Sequence, residues 1–224
     1  GLETRINADK TEKNQRESAP HLRESAFLIM ITKNGIIKKT PLDDFKNIRR
    51  NGIIAISLKK GDSLKWARLS GGNDQIILGT KNGQAIRFKE TQARPMSRTA
   101  GGIRAIKLKK NDEVAGFDII KSETKEAKVL AVMANGFGKQ TPLKEYKIQN
   151  RGGSGIKIAN ITSKTGVLIA TQVLTEQMEL LALSEKGQVI RTNLSGVRMT
   201  GRSAQGVRIM NLKSGDKLAG IVVI

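Results

Sequence analysis

From residue 27 to Ile224, short apolar runs alternate with polar, glycine-bearing turns, and no stretch keeps the three-to-four-residue spacing of an amphipathic helix. Four runs end at a turn glycine: FLIMITKNG at Gly35, DQIILGTKNG at Gly83, KVLAVMANG at Gly136 and MELLALSEKG at Gly187. Three of these turns read Asn-Gly, a pair that readily takes positive φ at both central positions, so each landmark predicts a hairpin closed by a type I′ turn. A second glycine, Gly52, Gly102, Gly155 or Gly206, opens another apolar run: GIIAISL, GIRAIKL, GIKIANI and GVRIMNL. The residues one and six places beyond it are always aliphatic. A further turn (Gly61-Asp62, Asn111-Asp112, Thr165-Gly166, Gly215-Asp216) leads to a last run such as LKWARL or KLAGIVVI. Each unit is therefore predicted to hold four strands. β-Branched residues dominate them, and Pro41, Pro95 and Pro142 stay in the connectors.

Successive turn glycines are 48, 53 and 51 residues apart. A lone four-stranded sheet cannot bury both faces, whereas neighbouring sheets can bury them mutually, so this period predicts an all-β, propeller-like fold of four readable blades. The units span about 27–72, 73–125, 126–175 and 176–224. Residues 1–26 are polar and mixed in charge and read as a linker or tail, with the one histidine, His21, a solvated side chain within it.

The chain has 224 residues and no cysteine, which excludes disulfide frameworks, thiol nucleophiles and thiolate metal sites and is compatible with a reducing cytoplasm. One histidine supports no His-rich metal site, so neither metal nor cofactor is expected. The apolar runs fall short of the roughly 18–20 residues that span a bilayer, and the polar N-terminus is no signal peptide, so no membrane partner is expected. Lys and Arg number 40 against 20 Asp and Glu, for a net charge of +20. Residues 1–26 hold five of each sign, leaving 35 basic against 15 acidic residues in 27–224. So much like charge in a folded body predicts a polyanionic partner. Aromatics make up only 3% of the chain, few for the stacking that single strands demand, and point to the backbone of double-stranded DNA.

The basic residues recur by phase. Arg98, Arg151 and Arg202 stand four places before the second glycine, with Arg49 and Arg50 offered by the first unit's shorter connector. Arg104, Lys157 and Arg208 stand two places after it, with Ile54 the exception. Lys39, Arg87 and Arg191 follow the turn glycine by four places; Gln140 breaks that row, but Lys139 lies beside it, as Lys38 lies beside Lys39. In a ring of blades equivalent positions share one circumference, so these thirteen cations predict a basic outer band for phosphate contacts without base readout.

No catalytic set is expected. Asp62, Asp112 and Asp216 recur at turns, where Asp bonds local backbone. A single tail histidine permits no Ser/His/Asp arrangement, no GxxxxGK[ST] loop occurs, and Tyr146 and Trp66 read as packed aromatics.

The strings KKTPLDDF, RPMSRTAGGIRAIKL, NGFGKQTPLKEY and VRMTGRSAQGVRIMNL resemble the DNA gyrase A C-terminal domain, a β-pinwheel family, over nearly all of 27–224. The resemblance implies strands exchanged between neighbouring blades, a basic rim that wraps duplex DNA, partnership with gyrase B and with the rest of the gyrase A subunit, and a bacterial, nucleoid-associated setting in the cytoplasm. It also implies a non-catalytic accessory domain of a type II topoisomerase, the catalytic core lying outside this chain. Family members typically have about six blades and a QRRGGRG box; the nearest string here, Gln149-Asn150-Arg151-Gly152-Gly153-Ser154-Gly155, lies in the third unit with Asn and Ser in place of Arg. Three other readings stay open: the related topoisomerase IV C-terminal domain, a protein-interaction propeller with an acidic partner, and an enzyme using Asp43 or Asp44.

Overall fold

The structure, a computed structural model, describes residues 26–48 and 50–224; the tail expected at 1–26 lies outside the described residues apart from Ala26, as does Arg49. The first unit supplies β1 (Phe27–Thr32), β2 (Ile36–Pro41) and β3 (Leu64–Ser70); the second β4 (Gln75–Thr80), β5 (Gln84–Lys89), β6 (Ile103–Arg104) and β7 (Val114–Ile120). The third supplies β8 (Lys128–Met133), β9 (Phe137–Pro142), β10 (Ile156–Lys157) and β11 (Leu168–Leu174); the fourth β12 (Glu179–Ser184), β13 (Val189–Asn193), β14 (Val207–Arg208) and β15 (Leu218–Val223). The sheets are antiparallel, in the orders β3-β1-β2-β6, β10-β5-β4-β7, β11-β8-β9-β14 and β13-β12-β15.

Each of the first three sheets thus takes its outermost strand from the following unit, as the resemblance implied. Three details depart from the expectations. The strands after the second glycine shrink to two residues, because Ala105, Ile158 and Ile209 leave the edge to donate their N–H groups back to Gly35, Gly83 and Gly136, each at 2.8 or 2.9 Å. The fourth sheet has three strands, and 52–58 forms none. The hairpins are not closed by type I′ turns: Asn34, Asn82 and Asn135 keep negative φ and only the glycines turn positive, between 76° and 83° for Gly35, Gly83, Gly136 and Gly187. Gly35 N–H bonds Thr32 O and the glycine follows as a left-handed bulge, the three-residue form of hairpin.

The core lies between blades. Ile29, Ile31 and Ile37 pack with Ile76, Leu78, Ile86 and Phe88. The neighbouring residues of the second blade, Ile77 and Ala85, turn the other way, to Val129, Ala131 and Met133, while Leu130 and Val132 meet Leu180 and Ala182. The two-residue period of a strand therefore assigns alternate side chains to the two flanking interfaces. The recurrent turn aspartates pin this frame: Asp62 accepts from Thr32 Oγ1 at 2.7 Å and Asn34 N at 3.0 Å, and Asp112 repeats the pair with Thr80 and Asn82.

Candidate nucleic-acid interface

The strands β7 and β11 pack against each other, as do β11 and β15 and, more lightly, β3 and β7, so these strands form the inner edges of the blades. The exchanged strands β6, β10 and β14 occupy the opposite edges of their sheets. Arg104, Lys157 and Arg208 sit on those outer strands, opposite Ile36, Gln84 and Phe137, and all three are exposed. The Arg208 guanidinium lies 5.2 Å from the centre of the Phe137 ring, which steadies the cation without removing it from water.

The row four places before the second glycine is half-buried and tied to its neighbour. Arg98 Nη1 donates to Ile54 O at 3.3 Å, Arg151 Nη1 to Arg104 O, and Arg202 Nη1 to Lys157 O at 3.1 Å. The acceptor is each time the residue two places after the second glycine of the preceding unit. The fold therefore brings the two rows together and links them from blade to blade. A guanidinium carries five N–H groups, so one such bond leaves donors for an outside oxygen. Arg50 is exposed on the first connector.

The third row behaves differently. Lys38, Lys39 and Lys139 are buried, at 0%, 4% and 0% exposure, which corrects the expectation that they face solvent. Lys39 Nζ pairs with the buried Glu90 carboxylate at 2.7 Å and lies 4.0 Å above the Phe27 ring. Arg87 donates to Leu143 O at 3.1 Å and Tyr146 O at 3.0 Å, and burial lowers its pKa. Gln140 Nε2 donates to Leu194 O at 2.6 Å. Lys39, Arg87 and Gln140 each reach the short 3-10 turn of the next unit, at Glu90–Gln92, Leu143–Glu145 and Leu194–Gly196. They clamp one blade to the next. The exception in the sequence was the signal: an amide replaces a cation where a donor, and not a charge, is needed. Arg191 has no following blade to clamp among the described residues; it is exposed, and its pKa is raised by the Glu179 carboxylate it bonds.

Phase recurrence also held a row that went unread. Arg94, Lys147 and Arg198, eight places before the second glycine, are all exposed, each next to a residue that bridges in parallel to the preceding blade (Pro95 to Lys39, Ile148 to Arg87, Met199 to Gln140). Lys59, Lys109 and Lys213 form another exposed series at the turns that carry the aspartates. Among the described residues no group of three or more His, Cys, Asp or Glu is placed to hold a metal, and no helix is long and apolar enough to cross a membrane. Tyr146 is buried, and desolvation pushes its phenol well above the usual range.

The sequence profile of the DNA gyrase C-terminal domain, beta-propeller, matches residues 26–70, 74–121, 129–174 and 179–224. The DNA gyrase A protein of Staphylococcus epidermidis is 40% identical over 201 residues, 90% of this chain and 22% of that protein; that of Staphylococcus aureus is 40% identical over 189 residues, 84% of this chain and 21% of that protein. The chain thus spans about a fifth of the length of these relatives. A solved DNA gyrase A C-terminal domain superimposes with a TM-score of 0.79 at 25% identity, covering 90% of this chain and 67% of that one. The C-terminal domain of a DNA topoisomerase IV shares the fold, with a TM-score of 0.83 at 21% identity over 89% of this chain and 62% of that one. The four matched segments are the repeats of an accessory domain, distinct from the catalytic core, and the chain belongs to the DNA gyrase C-terminal domain family.

Proposed function

We propose that the outer rim binds duplex DNA through its backbone, without reading sequence, and bends or wraps it as part of a gyrase A subunit working with gyrase B at the bacterial nucleoid. Arg98, Arg104, Arg151, Lys157, Arg202 and Arg208 carry the contact, extended by Arg50, Arg191 and the row Arg94, Lys147 and Arg198. The carrying observation is the guanidinium-to-carbonyl link at every described blade junction, from Arg98 to Ile54, Arg151 to Arg104 and Arg202 to Lys157, which joins the two basic rows at the last two. A cationic track along the outer edges suits a polyanion, and the buried lysines, being interblade fasteners, are left out of it.

Binding to a duplex of about 40 base pairs, measured across a salt series, tests this. Replacing the exposed Arg104, Lys157 and Arg208 by Ala should weaken binding alike for unrelated sequences. It should also flatten the dependence of log K on log salt by roughly 2–3, at about 0.9 per phosphate contact. An unchanged slope rejects these contacts, and absence of duplex binding at low salt rejects the DNA reading in favour of an acidic protein partner. Ligation of relaxed circles in the presence of the chain then reads wrapping as a change in linking number; no change leaves binding or bending alone.

A further inference from the structure

We propose that Lys38 and Lys139 are positioning residues for the basic rim: each buried ammonium fixes, through main-chain carbonyls, the connector that carries the next unit's arginine, Arg98 or Arg202, so that the guanidinium is presented outward. The inference rests on the DNA-binding reading and assigns to it two residues that touch no DNA.

The contact from ammonium to arginine carbonyl occurs twice, with the second acceptor in the lysine's own unit for Lys38 and in the next unit's connector for Lys139. Lys38 Nζ donates to Ala55 O at 2.6 Å and to Arg98 O; Lys139 Nζ donates to Gly201 O at 2.6 Å and to Arg202 O. At Arg202 the peptide is gripped on both sides, since its N–H bonds the Glu145 carboxylate at 3.2 Å while its C=O receives the ammonium. With main chain held and Nη1 bound to Lys157 O, the remaining N–H groups of Arg202 keep one direction. The charges facing Lys139 are Glu145 and Arg202, and those facing Lys38 are Asp44 and Arg98.

The fold does not require a cation at this phase, because Ile86 and Ile190 occupy it in the second and fourth blades. Burying an ammonium is costly: desolvation lowers the pKa of both lysines, that of Lys139 to about 8. A cost borne at two of four equivalent positions implies a task at those two. Where isoleucine stands, in the second blade, the following arginine is held otherwise: Arg151 N bonds Gln92 Oε1 at 2.6 Å and Arg151 Nε bonds Gln92 O at 3.0 Å.

A double-mutant cycle on the full chain separates positioning from bulk charge and from general loosening. Affinity for the 40-base-pair duplex is measured at one salt concentration for Lys139→Met, Arg202→Ala and the pair, with circular dichroism to check folding. Each single change should cost roughly 3–10-fold, the range of one or two phosphate contacts, and the pair should cost no more than the larger single change. In an Arg151→Ala background the full Lys139→Met factor should return, because that arginine is held by Gln92. Losses from Lys139→Met and Arg202→Ala that multiply would overturn the proposal alone. No loss from Arg202→Ala would reject the rim reading at that residue, and the proposal with it. If Lys139→Met does not fold, the Lys38→Met and Arg98→Ala cycle is read in the same way.

Discussion

The third and fourth blades open on the same landmarks. Gly136 answers to Gly187, Thr141 to Thr192 and Leu143 to Leu194, and both hairpins make the same tight turn. Their second strands nevertheless lie in different surroundings. Along β9, Phe137, Lys139, Gln140 and Thr141 are buried; along β13, Val189, Arg191 and Asn193 are exposed. The difference lies in what the following unit adds, since β14 seals the edge of β9 and no described strand seals that of β13. Burial of a hairpin is here decided by a connector and a two-residue strand more than fifty residues downstream. A blade is consequently not an independent folding unit, and stability is shared across each junction.

The sharpest way to break the comparison is a single methyl group. A Cβ on Gly136 would stand 2.3 Å from Met210 O in the exchanged segment, whereas a Cβ on Gly187 meets nothing within 4 Å; both glycines have φ near +82°. Gly187→Ala should therefore show only the left-handed backbone penalty, about 1–2 kcal/mol. Gly136→Ala should add overpacking against main chain, for a total of about 2–5 kcal/mol. Urea denaturation of the two variants checks this. Equal losses would mean that strand exchange contributes nothing to the stability of the third blade.

Next in size is a pH dependence that Lys139 brings to the third blade. Lys139 has its pKa lowered by burial from 10.5 to about 8, so between those values the unfolded chain binds more protons than the native one. Stability must then rise with pH across that window, the reverse of the behaviour of a lysine that gains a partner on folding. The full cost of the buried charge is present below pH 8 and relieved above it, by about 3 kcal/mol at most. The difference in unfolding free energy between the parent and Lys139→Met should grow in the parent's favour from pH 8 to 10.5. Ile190→Lys, on the edge that no described strand covers, should show no such window. A flat difference for Lys139 would contradict the burial of its ammonium.

Much of this was legible in the residues. Turn glycines, second glycines and aliphatic positions fixed by phase marked the repeat, and the recurring Arg104, Lys157 and Arg208 marked the outer edge. Two things were not legible, for physical reasons. Strand length after the second glycine depends on where the chain leaves its host edge to bond Gly35, Gly83 or Gly136, a contact between units that local pattern does not record. Likewise, alternation along IKKT or GKQT marks Lys38 and Lys139 as polar; only the neighbouring connector, which supplies carbonyls for them, turns these positions inward.

The smallest effect expected concerns Gln140 and Arg191, which share one phase four places past the turn glycine. Gln140 is 4% exposed, and its amide donates at 2.6 Å to Leu194 O in the next unit's 3-10 turn. Arg191 pairs instead with Glu179 on the adjacent strand of its own sheet, in the open. Gln140→Ala removes a buried interblade bond, but Leu194 O keeps the Val197 N–H at 3.0 Å, so the acceptor is not orphaned and the loss should stay near 1 kcal/mol. Arg191→Ala should leave the urea midpoint unmoved, since an exposed pair gives little to folding. The two variants therefore ask, at one phase of the repeat, whether the side chain fastens a junction or merely decorates a free edge. A loss from Arg191→Ala as large as that from Gln140→Ala would show that the β13 edge is covered in solution.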